Sequence, residues 1–402
     1  MTGESLQFSR DVVIVGGCGR VGLPLGIAFA RAGLTVTLFD TNRRVVEQVQ
    51  SAKMPFLEAQ ADEALEAVVR AGTLRATADA AAVSQAEHVI VVVGTPVDDH
   101  LTPDPNAVPG AVQALLGDLQ DGQHLVLRST VFPGVTAVVE RLVARSGVGL
   151  DVSFCPERIA EGKALEELGV LPQIVAGRSE RAVRRASELF GRLTASIVVL
   201  EVEEAELAKL FTNTWRYIKF AVANQLFMIA NDHGLDFERI RAALQFDYPR
   251  AADMPGPGFA AGPCLLKDTM QLATFDSNNF TLGHASMMVN EGLPLYVVDR
   301  LEKRFDLPTM TVGILGMAFK GESDDVRSSL AYRLRRLLRF KTGRVVCSDP
   351  YVAQDPELVP LEVVLAQSDL LIIGAPHRGY ADLEPTVPVV DLWNLLGGGV
   401  LV

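Results

Sequence analysis

The chain has 402 residues, 49% of them hydrophobic, with a formal charge of -12. That length supports two or three domains with more than one buried core, and the acidic balance excludes a broad surface for a nucleic-acid backbone or an anionic membrane while leaving room for a local nucleotide pocket. The four cysteines, Cys18, Cys155, Cys264 and Cys347, form no C-x-x-C pair and no cluster with histidine, so neither a disulfide framework nor a metal site is expected and a reducing cytoplasm fits.

In chain order, Met1 to Arg10 lacks the charged start, apolar stretch and cleavage site of a signal peptide, and no later apolar run reaches bilayer length, so a soluble protein with no membrane partner is expected. Residues 12 to 16, Val-Val-Ile-Val-Gly, read as a buried strand entering a Gly-rich turn, followed by a helix from Leu25 to Ala32 and a second strand from Thr35 to Phe39. Further strands are expected at His88 to Val93, His124 to Arg128 and Gln173 to Ala176. With helices between them, residues 1 to 200 read as a mostly parallel sheet covered on both faces.

Residues 201 to 306 read as all-helical. One long helix runs from Glu201 to His233, opening on acids that suit the positive end of the helix dipole. A helix from Phe237 to Leu244, a Gly/Pro loop from Pro255 to Pro263 and helices around Lys267 to Thr274 and His284 to Phe305 complete this part. From 307 to 402 the strand pattern returns at Thr311, then a helix from Ser328 and strands at Arg344 to Cys347, Leu370 to Ile373 and Val389 to Leu392. The expected fold class is α/β: two Rossmann-like, doubly wound parallel-sheet domains joined by a long central helix in an all-helical middle domain. Ligands of such sheets bind beyond the carboxyl ends of the strands.

Gly17, Gly19 and Gly22 form GxGxxG between a strand and a helix start, where backbone N–H groups can approach a pyrophosphate. Asp40 ends the next strand, placed to accept from both ribose hydroxyls, which favours NAD over NADP. The alternative is a glycine turn that only packs helix on strand. Gly94-Thr95-Pro96 and Arg128-Ser129-Thr130 end later strands at the same edge, either as cofactor contacts or as ordinary strand termini.

Cys264 follows Pro263 in a glycine-flanked loop and precedes a helix, a setting that favours a thiolate nucleophile; the other reading is a small buried hydrophobe. Lys209 and Asn213 are four apart on the long helix, hence on one face, and could together stabilise an oxyanion. The plainer reading there is a solvated face with a Glu206-Lys209 pair, and Lys267 and Asp268 could likewise be a charge pair at a helix start. Cys155-Pro156-Glu157-Arg158-Ile159-Ala160-Glu161-Gly162 follows an apolar strand, where a carboxylate could orient or activate water or cap the next helix. Cys18 and Cys155 read as packing residues.

With these motifs in place, the chain resembles the UDP-glucose/GDP-mannose dehydrogenase family of nucleotide-sugar 6-dehydrogenases over nearly its whole length. The resemblance is carried, in order, by GGCGRVGLP, VGTP, RSTV, CPERIAEG, Lys209-x-x-x-Asn213, GPCLLKD, GMAFKGESDDVRSS and CSDPY. It implies a four-electron oxidation with two NAD per turnover, in which a cysteine thiolate traps the aldehyde and the resulting thioester is hydrolysed to a uronic acid. Under it Cys264 is the nucleophile, Lys209 and Asn213 hold the oxyanion, Asp268 orients or deprotonates water, and Glu157 assists hydrolysis with Thr130. Gly17, Gly19, Arg20, Val21, Gly22, Asp40, Gly94, Thr95, Thr130, Lys267 and Arg327 would bind NAD. Glu157, Glu161, Lys209, Asn213, Arg250, Gly262 and Lys320 would bind the nucleotide sugar, Arg250 reaching the sugar of a neighbouring subunit. Lys267 would also lie beside the thiol. A homodimer through the central helix is implied as well.

Pro263 departs from the family by removing a backbone N–H from the cysteine loop. The Cys-x-x-Lys-Asp spacing and Ala160-Glu161-Gly162 favour a UDP-hexose, UDP-glucose first, while Pro156-Glu157-Arg158 and the segment Asn278 to His284 keep an N-acetylhexosamine open. Two rivals stand beside this: a 3-hydroxyacid-type dehydrogenase, which also carries Lys-x-x-x-Asn on a long helix but needs no cysteine, and a nucleotide-sugar binder without turnover.

Overall fold

A computed structural model describes residues 8–95, 97–98, 103–260 and 262–402. Residues 1 to 7 of the signal-peptide reading and Pro96 of the VGTP motif lie outside the described residues. The chain divides into two compact units, Met1–Thr212 and Asn213–Val402.

In the first unit the strands are β1 (Arg10–Val15), β2 (Val36–Phe39), β3 (Leu74–Thr77), β4 (Ala86–Val91), β5 (His124–Leu127), β6 (Asp151–Phe154), β7 (Gln173–Gly177) and β8 (Ile197–Leu200). The helices are α1 (Gly22–Arg31), α2 (Arg43–Gln50), α3 (Ala61–Arg70), α4 (Ala107–Leu115), α5 (Val135–Ser146), α6 (Ala164–Val170) and α7 (Glu180–Phe190), and α8 (Val202–Asp232) begins here. The strand order is β3-β2-β1-β4-β5-β6-β7-β8, parallel in every pairing except β6 with β7. Alternation along the central strands explains why the sheet is covered twice. Val12 and Ile14 enter one core with α1, whereas Val13 and Val15 enter another that includes Val135 and Val139 of α5. A strand buried on both faces must be apolar throughout, as β1 is. The order turns back between β1 and β4, so the Gly-rich turn after β1 leaves the sheet at its topological switch point.

The second unit holds the rest of α8, then α9 (Phe237–Gln245), α10 (Leu265–Phe275) and α11 (Thr281–Arg304). Its sheet is built from β9 (Thr311–Leu315), β10 (Arg344–Ser348), β11 (Leu370–Ile373) and β12 (Val389–Val390), with α12 (Leu330–Arg339) and α13 (Leu361–Gln367). The four strands are parallel in the order β10-β9-β11-β12. Ile314 and Ile372 face a core shared with Phe227 of α8 and Leu293, Val297 and Leu301 of α11, while Leu315, Leu371 and Ile373 face the opposite side.

The two α/β sheets and the helical stretch between them are as the sequence reading has them. The short strands β3 and β8, at the two edges of the large sheet, were not expected. Among the described residues no helix is long and apolar enough to cross a membrane.

Candidate functional site

The turn after β1 is shaped by its glycines in two different ways. A Cβ on Gly17 would lie 2.6 Å from Ile14 O and 2.9 Å from Leu38 Cα, and one on Gly22 would lie 2.7 Å from Gly16 O, so chain packing alone requires both. A Cβ on Gly19 would meet only Gly16 O, at an ordinary 3.5 Å. Among the described residues nothing else crowds that position, which leaves it open to close approach by a phosphate at the start of α1. Asp40, directly after β2, accepts from Cys18 N at 3.1 Å through Oδ2 and from Asn42 N at 3.0 Å through Oδ1. The carboxylate thus braces the turn from the side where a ribose would lie. These features fit an NAD.

Arg20 and Val21 lie inside this turn. The Arg20 guanidinium donates to Glu161 at 2.8 Å and stacks over Phe56, 5.0 Å from its centroid. The loop carrying Glu157 and Glu161 is therefore tied to the Gly-rich turn. Its far end is pinned by buried Glu58, which accepts from Gly162 N at 2.9 Å and Ala164 N at 2.7 Å. Its near end is pinned by Glu157, which forms an ion pair with fully buried Arg128. Gly94 has no neighbour within 4 Å of a built Cβ, Thr95 follows it, and Thr130 is half-buried beyond β5. Ser129 rivets that edge by donating to Val93 O at 2.8 Å.

On α8 the solvated-face reading is overturned. Glu206 is 1% exposed, and its two oxygens accept from Gly134 N at 2.6 Å and Thr136 N at 2.9 Å. It caps α5, whose first N–H groups have no partner within the helix. Lys209 and Asn213, one turn apart, are both buried.

In the second unit Cys264 is the N-cap residue of α10, with its carbonyl accepting from Asp268 N at 2.9 Å. It is the exposed one of the four cysteines. Burial pushes the thiols of Cys18, Cys155 and Cys347 up to about 12, which makes them packing residues. Asp268, one turn into α10 and fully buried, receives Lys267 Nζ on Oδ1 at 2.6 Å and Asn213 Nδ2 on Oδ2 at 2.5 Å. The helix-start charge pair is therefore present, but as part of a buried network that reaches α8.

The loop before Cys264 is held at two points. Asn224 of α8 both donates to Gly258 O at 3.1 Å and accepts from Gly258 N at 2.9 Å. Gly262, with φ of +109°, lies where a Cβ would come within 2.7 Å of the Phe319 ring, so glycine is needed there for both conformation and space. Phe319 also carries Lys320, whose ammonium lies 5.9 Å from the ring centroid, and the cysteine loop and the turn after β9 thereby meet. Arg327 forks onto Asp325, with Nη2 2.6 Å from Oδ2. Arg250 is exposed and stacks on Tyr248.

Four of these anchors have partners that sequence reasoning did not supply. Arg128, Glu58 and Asn224 find their partners far along the chain. So does Asp349, after β10, which accepts from Met317 N at 2.6 Å, Ala318 N at 2.9 Å and buried His377 at 3.0 Å. It braces the second Gly-containing turn much as Asp40 braces the first.

Comparison with known proteins agrees with this layout. The UDP-glucose/GDP-mannose dehydrogenase family is matched over residues 11–194 by its NAD binding domain, over 203–291 by its central domain and over 313–397 by its UDP binding domain. The chain is 30% identical to a UDP-N-acetyl-D-mannosamine dehydrogenase of Pyrococcus horikoshii, covering 92% of this chain and 91% of that one. It is 28% identical to an NDP-N-acetyl-D-galactosaminuronic acid dehydrogenase of Ralstonia solanacearum, over 95% and 94%. The solved structure of a UDP-glucose dehydrogenase from Pyrobaculum islandicum superposes with a TM-score of 0.87 at 28% identity, over 97% and 95% of the two chains.

Proposed function

We propose, from the premise that the chain belongs to the UDP-glucose/GDP-mannose dehydrogenase family and is an NAD-dependent nucleotide-sugar dehydrogenase, that it oxidises the C6 hydroxymethyl of a UDP-N-acetylhexosamine to the uronic acid. UDP-N-acetyl-D-mannosamine is the first candidate, supported by the names of relatives at 30% and 28% identity. UDP-glucose, favoured by the motif spacing, becomes the second reading, supported by the likeness to the Pyrobaculum enzyme. The observation that carries the route is the exposed thiol of Cys264 at the start of α10, one turn from the buried Lys267–Asp268–Asn213 network.

Residues 1–200 would bind NAD, 201–306 would form the central helical dimerisation domain and 307–402 would take the UDP-sugar. Gly17, Gly19, Val21, Gly22, Asp40, Gly94, Thr95 and Thr130 would line the cofactor. Arg20, Lys267 and Arg327 would join them only by sharing charge with Glu161, Asp268 and Asp325. Bound NAD supplies the hydride acceptor for both oxidations.

The chain's own part is to hold the carbon and its oxygens. The Cys264 thiolate adds to the aldehyde carbon, and Lys209 and Asn213 hold the oxyanion that results. Asp268 fixes the ammonium of Lys267 and the amide of Asn213. Glu157 and Thr130 align the hydrolytic water, while Glu161, Gly262, Lys320 and Arg250 contact the sugar nucleotide. A dimer seam along α8 suits its exposed Phe211, Trp215, Val222, Leu226 and Ile229, which share one helical face. Free buried thiols suit a cytoplasmic setting.

The test is turnover with UDP-N-acetyl-D-mannosamine, UDP-N-acetyl-D-glucosamine, UDP-glucose and GDP-mannose. Two NADH per sugar acid support the route. One NADH per ketone would indicate a 3-hydroxyacid-type reaction, and binding without NADH would indicate a non-catalytic binder.

A further inference from the structure

We propose that His377 is a positioning residue that sets the turn after β9 so that Lys320 meets the anionic sugar nucleotide, a role that rests on the reading of Lys320 as a contact of that ligand. Both residues belong to the unit Asn213–Val402, as does Cys264. His377 lies beyond β11 and is fully buried, with the rings of Tyr351 and Tyr380 edge-on to it at centroid distances of 4.9 and 5.5 Å. Its two nitrogens have opposite duties. Nδ1 accepts from Glu322 N at 2.9 Å, and because a backbone amide can only donate, this nitrogen is bare and Nε2 carries the proton that goes to Asp349 Oδ2 at 3.0 Å. The same Asp349 oxygen accepts from Met317 N and Ala318 N, ahead of Lys320 in the chain, whereas Glu322 N lies behind it. One imidazole thus closes the turn on both sides of the ammonium-bearing residue.

Glu322 is held there against its own preference. Its φ of +55° is a left-handed conformation that a residue with a Cβ keeps only where its surroundings over-determine it. Besides the bond from its N–H to His377, its carboxylate accepts from Arg378 N at 2.8 Å and from Tyr351 Oη at 3.2 Å. A Cβ on Gly321 would lie 2.3 Å from Pro376 O, so the main chain beside Lys320 packs directly on the residue before His377. Removing the Nδ1 acceptor leaves Glu322 N without that partner and lets its backbone return to an ordinary φ. That relaxation turns Gly321 and Lys320 away from the place where the ammonium would meet the ligand.

The test compares wild type with His377→Phe, His377→Asn, His377→Gln, Lys320→Met and the double variant Lys320→Met/His377→Phe. Each is titrated with UDP-N-acetyl-D-mannosamine and, in parallel, UDP-glucose without NAD, and each is assayed for turnover. His377→Phe should weaken sugar-nucleotide binding and raise its KM on the order of tenfold, the scale of one hydrogen bond to a charged group, with kcat and NAD affinity near wild type. Asn carries its amide oxygen where the ring has Nδ1, and Gln its amide nitrogen where the ring has Nε2. His377→Asn should therefore bind more tightly than His377→Gln, whereas a residue that only anchors Asp349 would give the reverse order. The double variant should bind no more weakly than Lys320→Met, because without the ammonium there is nothing to position. If His377→Phe does not fold, the order of the Asn and Gln variants decides. Wild-type affinity in folded His377→Phe, tighter binding by Gln than by Asn, or a double variant weaker than Lys320→Met would each overturn the role of His377. Unchanged binding in Lys320→Met would instead overturn the reading of Lys320, and a wild type that binds neither sugar nucleotide would overturn the proposed function, this role falling with either.

Discussion

Asn213 of α8 and Asp268 of α10 are joined by a 2.5 Å hydrogen bond, and the other oxygen of that carboxylate holds the Lys267 ammonium at 2.6 Å. Asp268 is fully buried, so its charge is balanced by groups that touch it and not by water. Both oxygens are engaged, which suits a carboxylate that orients its partners.

Truncation of Asp268 to alanine should therefore destabilise strongly, because it removes a fully buried carboxylate that binds both the Lys267 ammonium and the buried Asn213 amide. Breaking a buried pair from one side costs roughly 3–5 kcal/mol. Urea unfolding of Asp268→Ala should show a loss in that range, and Asp268→Ala/Lys267→Met should win back part of it. A loss below about 1 kcal/mol for the single variant, the scale of an exposed pair, would mean that the network is not the anchor described.

The Gly-rich turn offers a separation of stability from binding. Gly17→Ala drives a Cβ to 2.6 Å from Ile14 O and should lower the melting temperature. Gly19→Ala meets only Gly16 O at 3.5 Å and should fold normally, yet bind NAD more weakly because the methyl group stands where backbone must approach phosphate. Thermal unfolding and NAD titration of the two variants check this. Equal NAD affinity in Gly19→Ala and wild type would remove the open-glycine argument.

The elements that the sequence revealed are those specified by their own neighbours in the chain. The long helix is placed to within a residue at each end, Val202–Asp232 against Glu201 to His233, because no proline or glycine interrupts it and acids open it. β1 and its turn are legible because a run buried on both faces must be apolar throughout. β3 and β8 were missed because each is four residues long at a sheet edge, where Val198 and Val199 are exposed and no continuous apolar run is required. Glu206 was misread for another reason: its partners, Gly134 and Thr136, lie 72 and 70 positions away. Arg128 and Glu157 are 29 apart and meet only because β5 pairs with β6. Such contacts depend on strand order, which no local pattern carries.

Cys264 should be chemically distinct from the other three cysteines. Iodoacetamide on the native protein should add one label, at Cys264, since Cys18, Cys155 and Cys347 are buried and their thiols are pushed up to about 12. Labelling, or Cys264→Ser, should abolish acid formation and leave NAD affinity unchanged. Peptide mapping and NADH-coupled turnover read both. Full acid production by the serine variant would refute the nucleophile.

Acid should destabilise the first unit through a pair of histidines at the amino ends of β4 and β5. His88 Nδ1 lies 3.0 Å from His124 Nδ1, and His124 Nε2 lies 2.9 Å from Ser153 Oγ, which itself donates to Ala182 O at 3.2 Å. Ser153 therefore accepts from His124, whose Nδ1 must in turn accept from His88, and a further proton on His124 would set N–H against N–H. Burial pushes His88 down to about 4, with Arg185 adding to the shift and Glu87 and Asp11 opposing it. Burial, His88 and Arg185 push His124 well below its ordinary value of 6.5. In the unfolded chain both rings gain protons below about pH 6.5, while the folded protein resists, so the unfolded state binds more protons. The sign follows: the stability held by neutral burial is complete above about pH 6.5 and is lost as pH falls towards 4, at up to about 1.4 kcal/mol per pH unit for each ring. Urea unfolding at pH 7.5, 6 and 5 should show this slope. His88→Leu should flatten it by removing one titrating ring, and a variant whose stability falls between pH 6 and 5 as steeply as wild type would show that the pair is not the acid-sensitive element.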